Sequence, residues 1–277
     1  MVEMKDPQAK AACAAAVEAV ARKEPSKGTL PEGAANETDA SRKVREMFTE
    51  IAPRYDLLNH ILSLQMDRMW RARTAKILHP ILQREDAKIL DLCCGTGDLA
   101  FALSRRGKAQ LCGADFAHTM LVRAQGKAAA VSAGNGQRTI PFVESDALRL
   151  PFADGAFDLV TTAFGFRNLA NYEAGLREVR RVLKTGGTIA ILEFTEPKPG
   201  WFGDLYRWYF QEVLPRIGAM ISGDKSAYSY LPQSVARFFQ PGELRELMLG
   251  NGFESAETQV WTGGTVALHT GRKCGGV

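Results

Sequence analysis

The stretch ILDLCCGTGDLA, Ile89 to Ala100, brings together two glycines, two aspartates, a threonine and two adjacent cysteines. Three chemistries compete for it: a thiol or metal site, a phosphate cradle, and a seat for another nucleoside cofactor. Successive side chains of a strand point to opposite faces, so Cys93 and Cys94 are a poor start for a tetrahedral metal site. Cys13, Cys112 and Cys274 add no CxxC pair and no Cys/His cluster. No metal is expected. Gly95 and Gly97 let a ligand approach the backbone without Cβ clashes, and a helix start behind them offers unpaired N–H groups.

The spacing Gly95-x-Gly97-x-x-Ala100 also fits the dinucleotide fingerprint, which is weak on its own. Asp91, at the tip of the first strand, points elsewhere. A carboxylate there faces a pyrophosphate unfavourably but suits a cofactor that carries an ammonium group. Asp115 follows Gly95 by 20 residues and falls at the end of the second strand, where an acid accepts from ribose hydroxyls. Asp146, in VESDALRLPF after the third strand, falls where an adenine amino group would lie. Three acids at three successive strand ends favour a cationic nucleoside. S-adenosylmethionine is one, with an ammonium, a sulfonium and no phosphate.

The elements that must position these residues are readable from periodicity. After Lys88, short apolar runs (AKILDLC, AQLCGAD, IPFVESD, FDLVTTAF, GTIAILEF) alternate with helical stretches. Continuous apolar strands between helices predict a parallel sheet covered on both faces, a doubly wound α/β domain. The glycines of KTGGT are expected to cap one helix and open the next strand. Upstream, SRKVREMFTEIA places Val44, Met47, Phe48 and Ile51 on one helix face. APRYDLLNHILSLQMDRMWRARTAKIL then predicts two or three short covering helices.

Residues 1–40 read as a disordered or loosely helical extension, because KEPSKGTLPEGAANETDAS is polar and lacks an apolar period. The organisation expected is a domain over 41–273, with a helical lid at 41–80, a helical insertion at 200–240 and a short tail at 274–277.

Bulk composition is that of a soluble globular chain, with 45% hydrophobic and 24% charged residues among 277. A formal charge of +4, with no basic cluster, argues against nucleic acid. No apolar run approaches a membrane span, the N-terminus lacks a signal core, and five cysteines without a framework suit a reducing cytoplasm.

With these residues placed, the chain resembles the UbiE/MenG family, the ubiquinone/menaquinone biosynthesis C-methyltransferases. The resemblance rests on VREMFTEIAPRYDLLNHILSLQMDRMWR, LDLCCGTGDLA, DALRLPFADGAFDLVTTAFGFRN, EVRRVLKTGGTIAILEF, LPRIGAMISGDKSAYSYLPQSV and VALHTGRK, in order from about Ser41 to Lys273. It implies a class I methyltransferase fold, Rossmann-like, with a mostly parallel seven-stranded sheet whose last strand is antiparallel. It also implies S-adenosyl-L-methionine as methyl donor and a prenylated quinol as acceptor, demethylmenaquinol or a demethoxylated ubiquinol precursor. The family's cofactor contacts fall on Thr96, Asp115 and the pair Asp146–Ala147. The family's serine in the fourth strand corresponds to Ala163, which leaves a backbone contact at most. Gln65 and Asp67 replace the usual Gly and His of the lid, and Cys93 stands where methyltransferases in general carry glycine.

Methyl transfer to a ring carbon needs close in-line positioning, a steadied oxyanion and the removal of two protons. Arg167 and Asn168, after the fourth strand, are the candidates to stabilise the quinolate and orient the ring. Against that, Arg167 could serve only to cap a helix or pair an acid. Tyr55, Asp56 and Asn59 lie in the lid segment that the resemblance places over the acceptor, with capping and packing as the alternative roles. His269, in a strand, reads as a structural histidine.

Trp201, Leu205, Trp208 and Tyr209 recur at helical offsets. They fit either a core-facing helix or a channel and docking face for the membrane where a prenylated lipid resides. The expected setting is therefore cytoplasmic, with peripheral contact at the inner face of the membrane and a homodimer allowed. Two other functions compete: a catalytically weak cofactor-binding scaffold in quinone biosynthesis, and an NAD(P)-dependent oxidoreductase.

Overall fold

A computed structural model describes residues 28–29, 31–63, 65–135, 139–213 and 226–275. Most of the expected N-terminal extension, and LPRIGAMISGDK of the insertion, lie outside the described residues. The helix expected from Ser41 begins earlier, as α1 (Glu37–Ile51), because the Asn36 side chain accepts from Asp39 N and closes the first turn. A 3-10 turn, Ala52–Arg54, leads into α2 (Tyr55–Leu62), and α3 (Met66–Ile77) and α4 (His79–Leu82) follow.

The alternating segment folds as β1 (Lys88–Leu92), α5 (Asp98–Ser104), β2 (Gln110–Asp115), α6 (His118–Asn135), β3 (Phe142–Glu144) and β4 (Phe157–Ala163). Then come a 3-10 turn at Phe166–Asn168, α7 (Tyr172–Val182) and β5 (Leu183–Phe194). The insertion carries α8 (Trp201–Trp208), a π-helical turn at Tyr209–Val213 and α9 (Ser226–Arg237). The chain closes with α10 (Pro241–Gly250), β6 (Phe253–Trp261) and β7 (Val266–Lys273).

The seven strands form one sheet in the order β3-β2-β1-β4-β5-β7-β6. All neighbours are parallel except β7, which runs antiparallel to both β5 and β6. The strand order reverses between β1 and β4, so their C-terminal ends flank the crevice where open α/β sheets bind ligands.

Period-two alternation sends Leu90, Leu92, Val160 and Ile191 to one face, under Leu176, Val179, Leu244 and Met248 of α7 and α10. Ile89, Leu159, Ala190 and Leu192 pack on the other, under Trp70, Ala75, Leu99 and Leu103 of α3 and α5. Side chains as fully buried as these contribute roughly 1.5–3 kcal/mol each.

KTGGT departs from its expected part. The residue that ends α7 is Leu183, in extended geometry. Leu183 already pairs with Phe157, and the ladder then shifts register before Thr188 pairs with Leu159. Gly186, at φ +73°, serves this irregularity within the strand rather than a helix end.

Candidate cofactor and acceptor site

A cavity of about 670 Å³ opens along the C-terminal strand edges. From β3 to β4 its wall runs through Asp146, Ala147 and Leu148, then Asp115 and Phe116, then Leu92, Cys93 and Gly95, and finally Ala163, Phe164, Gly165 and Asn168. Ser41, Phe48 and Tyr55 of the N-terminal helices close it from above. Among the described residues its lining holds two carboxylates and no cation.

Local backbone shapes this wall. Cys93 and Phe164, at the tips of β1 and β4, both have left-handed backbone, with φ +52° and +60°. A Cβ on Gly165 would lie 2.4 Å from the Cβ of Cys93, so the two strand tips approach as closely as a glycine allows. The glycine that methyltransferases in general carry at Cys93 suits this φ. The same holds for Gln65, which stands in place of the family's Gly and has φ +65° ahead of α3.

The expected acids divide. Asp115 is buried and lines the cavity; its two carboxylate oxygens accept from Gly95 N at 2.8 Å and Ala117 N at 2.9 Å. Burial pushes its carboxyl above the ordinary range despite these bonds. Asp146 lines the cavity from an exposed position, with Oδ1 accepting from Leu148 N at 2.9 Å. Ala147 and Ala163 line it too.

Asp91 is not in the lining. It shares the face of Ile89, is 0% exposed, and accepts from Thr161 Oγ1 at 2.9 Å through Oδ1, while Oδ2 has no hydrogen-bond partner. Burial raises its pKa to about 7, with the Thr161 hydroxyl opposing. Thr96 and Gly97 are likewise outside the lining. The Thr96 hydroxyl turns to Asp56, donating to Oδ1 at 2.5 Å.

The acceptor candidates divide as well. Asn168 lines the cavity, and its Oδ1 accepts from Tyr230 Oη at 3.0 Å. Arg167 is buried away from the lining. Its Nη1 lies 2.7 Å from Glu193 Oε1 and donates to the Phe164 carbonyl, and Nε donates to Ser234 Oγ at 3.3 Å. Tyr55 lines the cavity, its hydroxyl bonded to Asn59; burial raises its pKa. His269 is buried on β7, with Nδ1 at 3.0 Å from Thr258 Oγ1 and Nε2 without a partner.

Glu193 and Tyr230 were not among the sequence candidates. Glu193 had a signal, as a lone carboxylate in the apolar run of β5 that needs a buried partner. Tyr230 had none, since its partner Asn168 is 62 residues away. Among the described residues no group of three or more His, Cys, Asp or Glu could hold a metal. None of their helices is long and apolar enough to cross a membrane.

A model of the ubiE/COQ5 methyltransferase family matches residues 36–273. The chain is 50% identical over 226 residues to a demethylmenaquinone methyltransferase of Thermus thermophilus, covering 81% of this chain and 99% of that one. It is 48% identical over 218 residues to a demethylmenaquinone methyltransferase of Deinococcus radiodurans, covering 78% and 87%. A ubiquinone/menaquinone biosynthesis C-methyltransferase UbiE of Geotalea daltonii is 40% identical over 239 residues, covering 85% and 98%.

Among solved structures, a SAM-dependent methyltransferase of Thermotoga maritima superposes with a TM-score of 0.57 at 19% identity, covering 82% of this chain and 99% of that one. One from Aquifex aeolicus gives 0.52 at 18%, covering 71% and 87%. At such identities they share the fold. The family follows from the match along nearly the whole domain and from relatives at half identity: this chain belongs to the ubiE/COQ5 methyltransferase family.

Proposed function

We propose that this protein transfers a methyl group from S-adenosylmethionine to a ring carbon of a prenylated quinol, with demethylmenaquinol as the acceptor. The acceptor is the one named for the relatives at 48% and 50% identity. The observation that carries the reading is the graded wall of the cavity. Its β3–β2 half offers carboxylates and small apolar residues, its β4 half offers an aromatic and an amide, and the lid adds a tyrosine. A lining with two acids and no cation suits a cationic nucleoside and disfavours a pyrophosphate.

The residues fit the donor. Asp115, fixed by two backbone N–H groups, keeps lone pairs for ribose hydroxyls. Ala147 and Leu148 give the lining beside Asp146 apolar surface, which suits a base. Asp91 is buried outside the lining, so it supports an ammonium at the glycine loop only as a nearby acid and not as a direct contact. When bound, S-adenosylmethionine supplies an electrophilic methyl on sulfur.

The remaining work falls to the protein. Asn168, held through Oδ1 by Tyr230 and with Nδ2 donating to the Phe164 carbonyl at 3.4 Å, keeps its second amide N–H for a quinol oxygen. Tyr55, whose hydroxyl is shifted to a higher pKa by burial, donates to the same ring. Arg167 acts as a positioning residue: it ties the Phe164 carbonyl and Glu193 together and so fixes the turn that carries Asn168. Asp56 and Asn59 hold Tyr55 in place from the lid.

The test is incubation of the purified protein with methyl-labelled S-adenosylmethionine and reduced demethylmenaquinone in detergent. Label in the quinone ring is expected, with Asn168→Ala and Tyr55→Phe lowering kcat while cofactor affinity is retained. Binding of S-adenosylhomocysteine without any label transfer would overturn the acceptor assignment.

A membrane surface is the second part of this reading. Trp201, Leu205 and Trp208 of α8 are 80%, 54% and 57% exposed, so this face of the helix is turned to solvent and not to the core. An acceptor with a prenyl tail resides in a bilayer, and an exposed Trp–Leu–Trp stripe suits the interfacial region.

A further inference from the structure

Lys127 sits on α6, outside the cavity lining, in a groove shared with Asp56, Arg71 and Asp98. Its ammonium lies 2.6 Å from Asp56 Oδ2 and 2.9 Å from Asp98 Oδ1, and it donates to Thr96 Oγ1 at 2.9 Å. The three N–H donors of the lysine thus meet three acceptors, on the lid helix, the glycine loop and the first residue of α5. The Thr96 hydroxyl donates to Asp56 Oδ1, which closes a ring of hydrogen bonds between loop and lid. Asp98 is also held at 3.4 Å by Arg71 of α3, which in turn pairs with Asp67, and Ser63 donates to Asp67 at 2.7 Å. All three acids therefore face cations, and α2 (through Lys127) and α3 (through Arg71) are tied to one carboxylate at the start of α5.

We propose that Lys127 is a positioning residue that latches the lid to the glycine loop, so that the lid closes over the cavity only when Thr96 holds its present place. Tyr55 precedes Asp56 in the chain, and its ring lies 3.8 Å from the position a Cβ on Gly95 would take. Releasing Asp56 frees the side chain that covers the glycine loop. The Thr96 hydroxyl serves this latch, and only the backbone of the loop is left to meet a ligand. The Asp67 that replaces the family's usual His is the outer anchor of the same network, which accounts for its burial at 3% exposure.

The inference rests on the reading of the cavity as a cofactor site. The experiment measures S-adenosylhomocysteine affinity and release rate, with hydrogen exchange of peptides spanning residues 52–62, in wild type, Lys127→Met and Lys127→Arg. Loss of a charge-assisted hydrogen bond predicts about tenfold faster release and about tenfold faster exchange of the lid amides in K127M, with substantial recovery in K127R. Lys108→Met, which removes an exposed pair with Glu85, should leave both unchanged. Asp56→Asn reads the same contact from the lid side if K127M does not fold. Wild-type release and lid exchange in folded K127M or D56N would overturn the latch. Failure of the wild type to bind S-adenosylhomocysteine would instead overturn the cofactor site.

Discussion

Arg167 and Glu193 form a buried ion pair at 2.7 Å, with Arg167 6% exposed and Glu193 0%. Both oxygens of Glu193 are engaged: Oε1 also accepts from Phe194 N at 2.9 Å, and Oε2 accepts from Arg167 N at 3.2 Å. The pair sits directly behind the turn that presents Asn168. A charge removed from either member leaves the other buried and uncompensated, which costs about 3–5 kcal/mol. Glu193→Gln is therefore expected to lower stability by that amount in chemical denaturation. Arg167→Ala, if it folds and binds cofactor, is expected to lose turnover because Asn168 and Phe164 lose their tether. Unchanged turnover in folded R167A would remove Arg167 from the positioning role.

Gly165 and Cys93 give a second, geometric prediction. Gly165→Ala places a Cβ 2.4 Å from Cys93 Cβ, a separation that real atoms do not tolerate, so a strand tip must move. The variant should lose a few kcal/mol of stability and bind cofactor more weakly. Cys93→Gly takes the side chain off a left-handed φ of +52°, and should stabilise by about 1 kcal/mol. The double variant should recover much of the G165A loss. Additive effects across the cycle would mean that the two positions do not share this contact.

How much of this was legible in the sequence follows the distance over which each contact acts. The strand–helix alternation, the glycine loop and the acids at strand ends are local patterns, and the sheet places Asp115 and Asp146 at the cavity as that register requires. Asp91 is expected to face the ligand, whereas alternation in β1 puts it beside Ile89, buried and outside the cavity lining. Thr96 took its assignment from the family, yet its hydroxyl is claimed by Asp56, 40 residues earlier. Arg167 and Glu193 are 26 residues apart on different elements, and no periodicity couples them. The two readings of α8 could not be separated by its spacing, because an apolar stripe looks the same whether a core or a bilayer covers it.

Asp91 and His269 make opposite contributions to stability with pH. Burial lowers the pKa of His269 to about 4, below its ordinary 6.5. Its contribution is fully present above pH 6.5 and is lost as pH falls towards 4. Burial raises Asp91 to about 7 from 3.8, so its contribution is fully present below pH 3.8 and is lost as pH rises to 7. Each is worth about 3–4 kcal/mol by linkage, and between pH 4 and 6.5 the two slopes oppose each other. The cofactor-free wild type should therefore show a shallow profile there. Asp91→Asn should expose stability that rises with pH, and His269→Gln stability that falls with pH. Parallel profiles for the two variants in urea titrations would refute the assignment.

The stripe on α8 predicts lipid binding without a change in chemistry. Trp201, Leu205 and Trp208 lie at intervals of four and three residues, which keeps them on one helix face, and all three are more than half exposed. Transfer of that surface to the interfacial region of a bilayer contributes roughly 25 cal/mol per Å² of apolar area, enough for reversible docking. Flotation with liposomes carrying the reduced acceptor should bring wild type into the lipid fraction, with a blue shift of tryptophan emission. W201S/L205S/W208S should remain in the aqueous fraction, and its KM for vesicle-borne acceptor should rise about tenfold or more. Its kcat on a short-tailed acceptor in solution should match wild type, because none of the three side chains lines the cavity. Equal flotation of the two proteins would show that this face does not dock, and a loss of kcat on the soluble acceptor would show that α8 acts on the site instead.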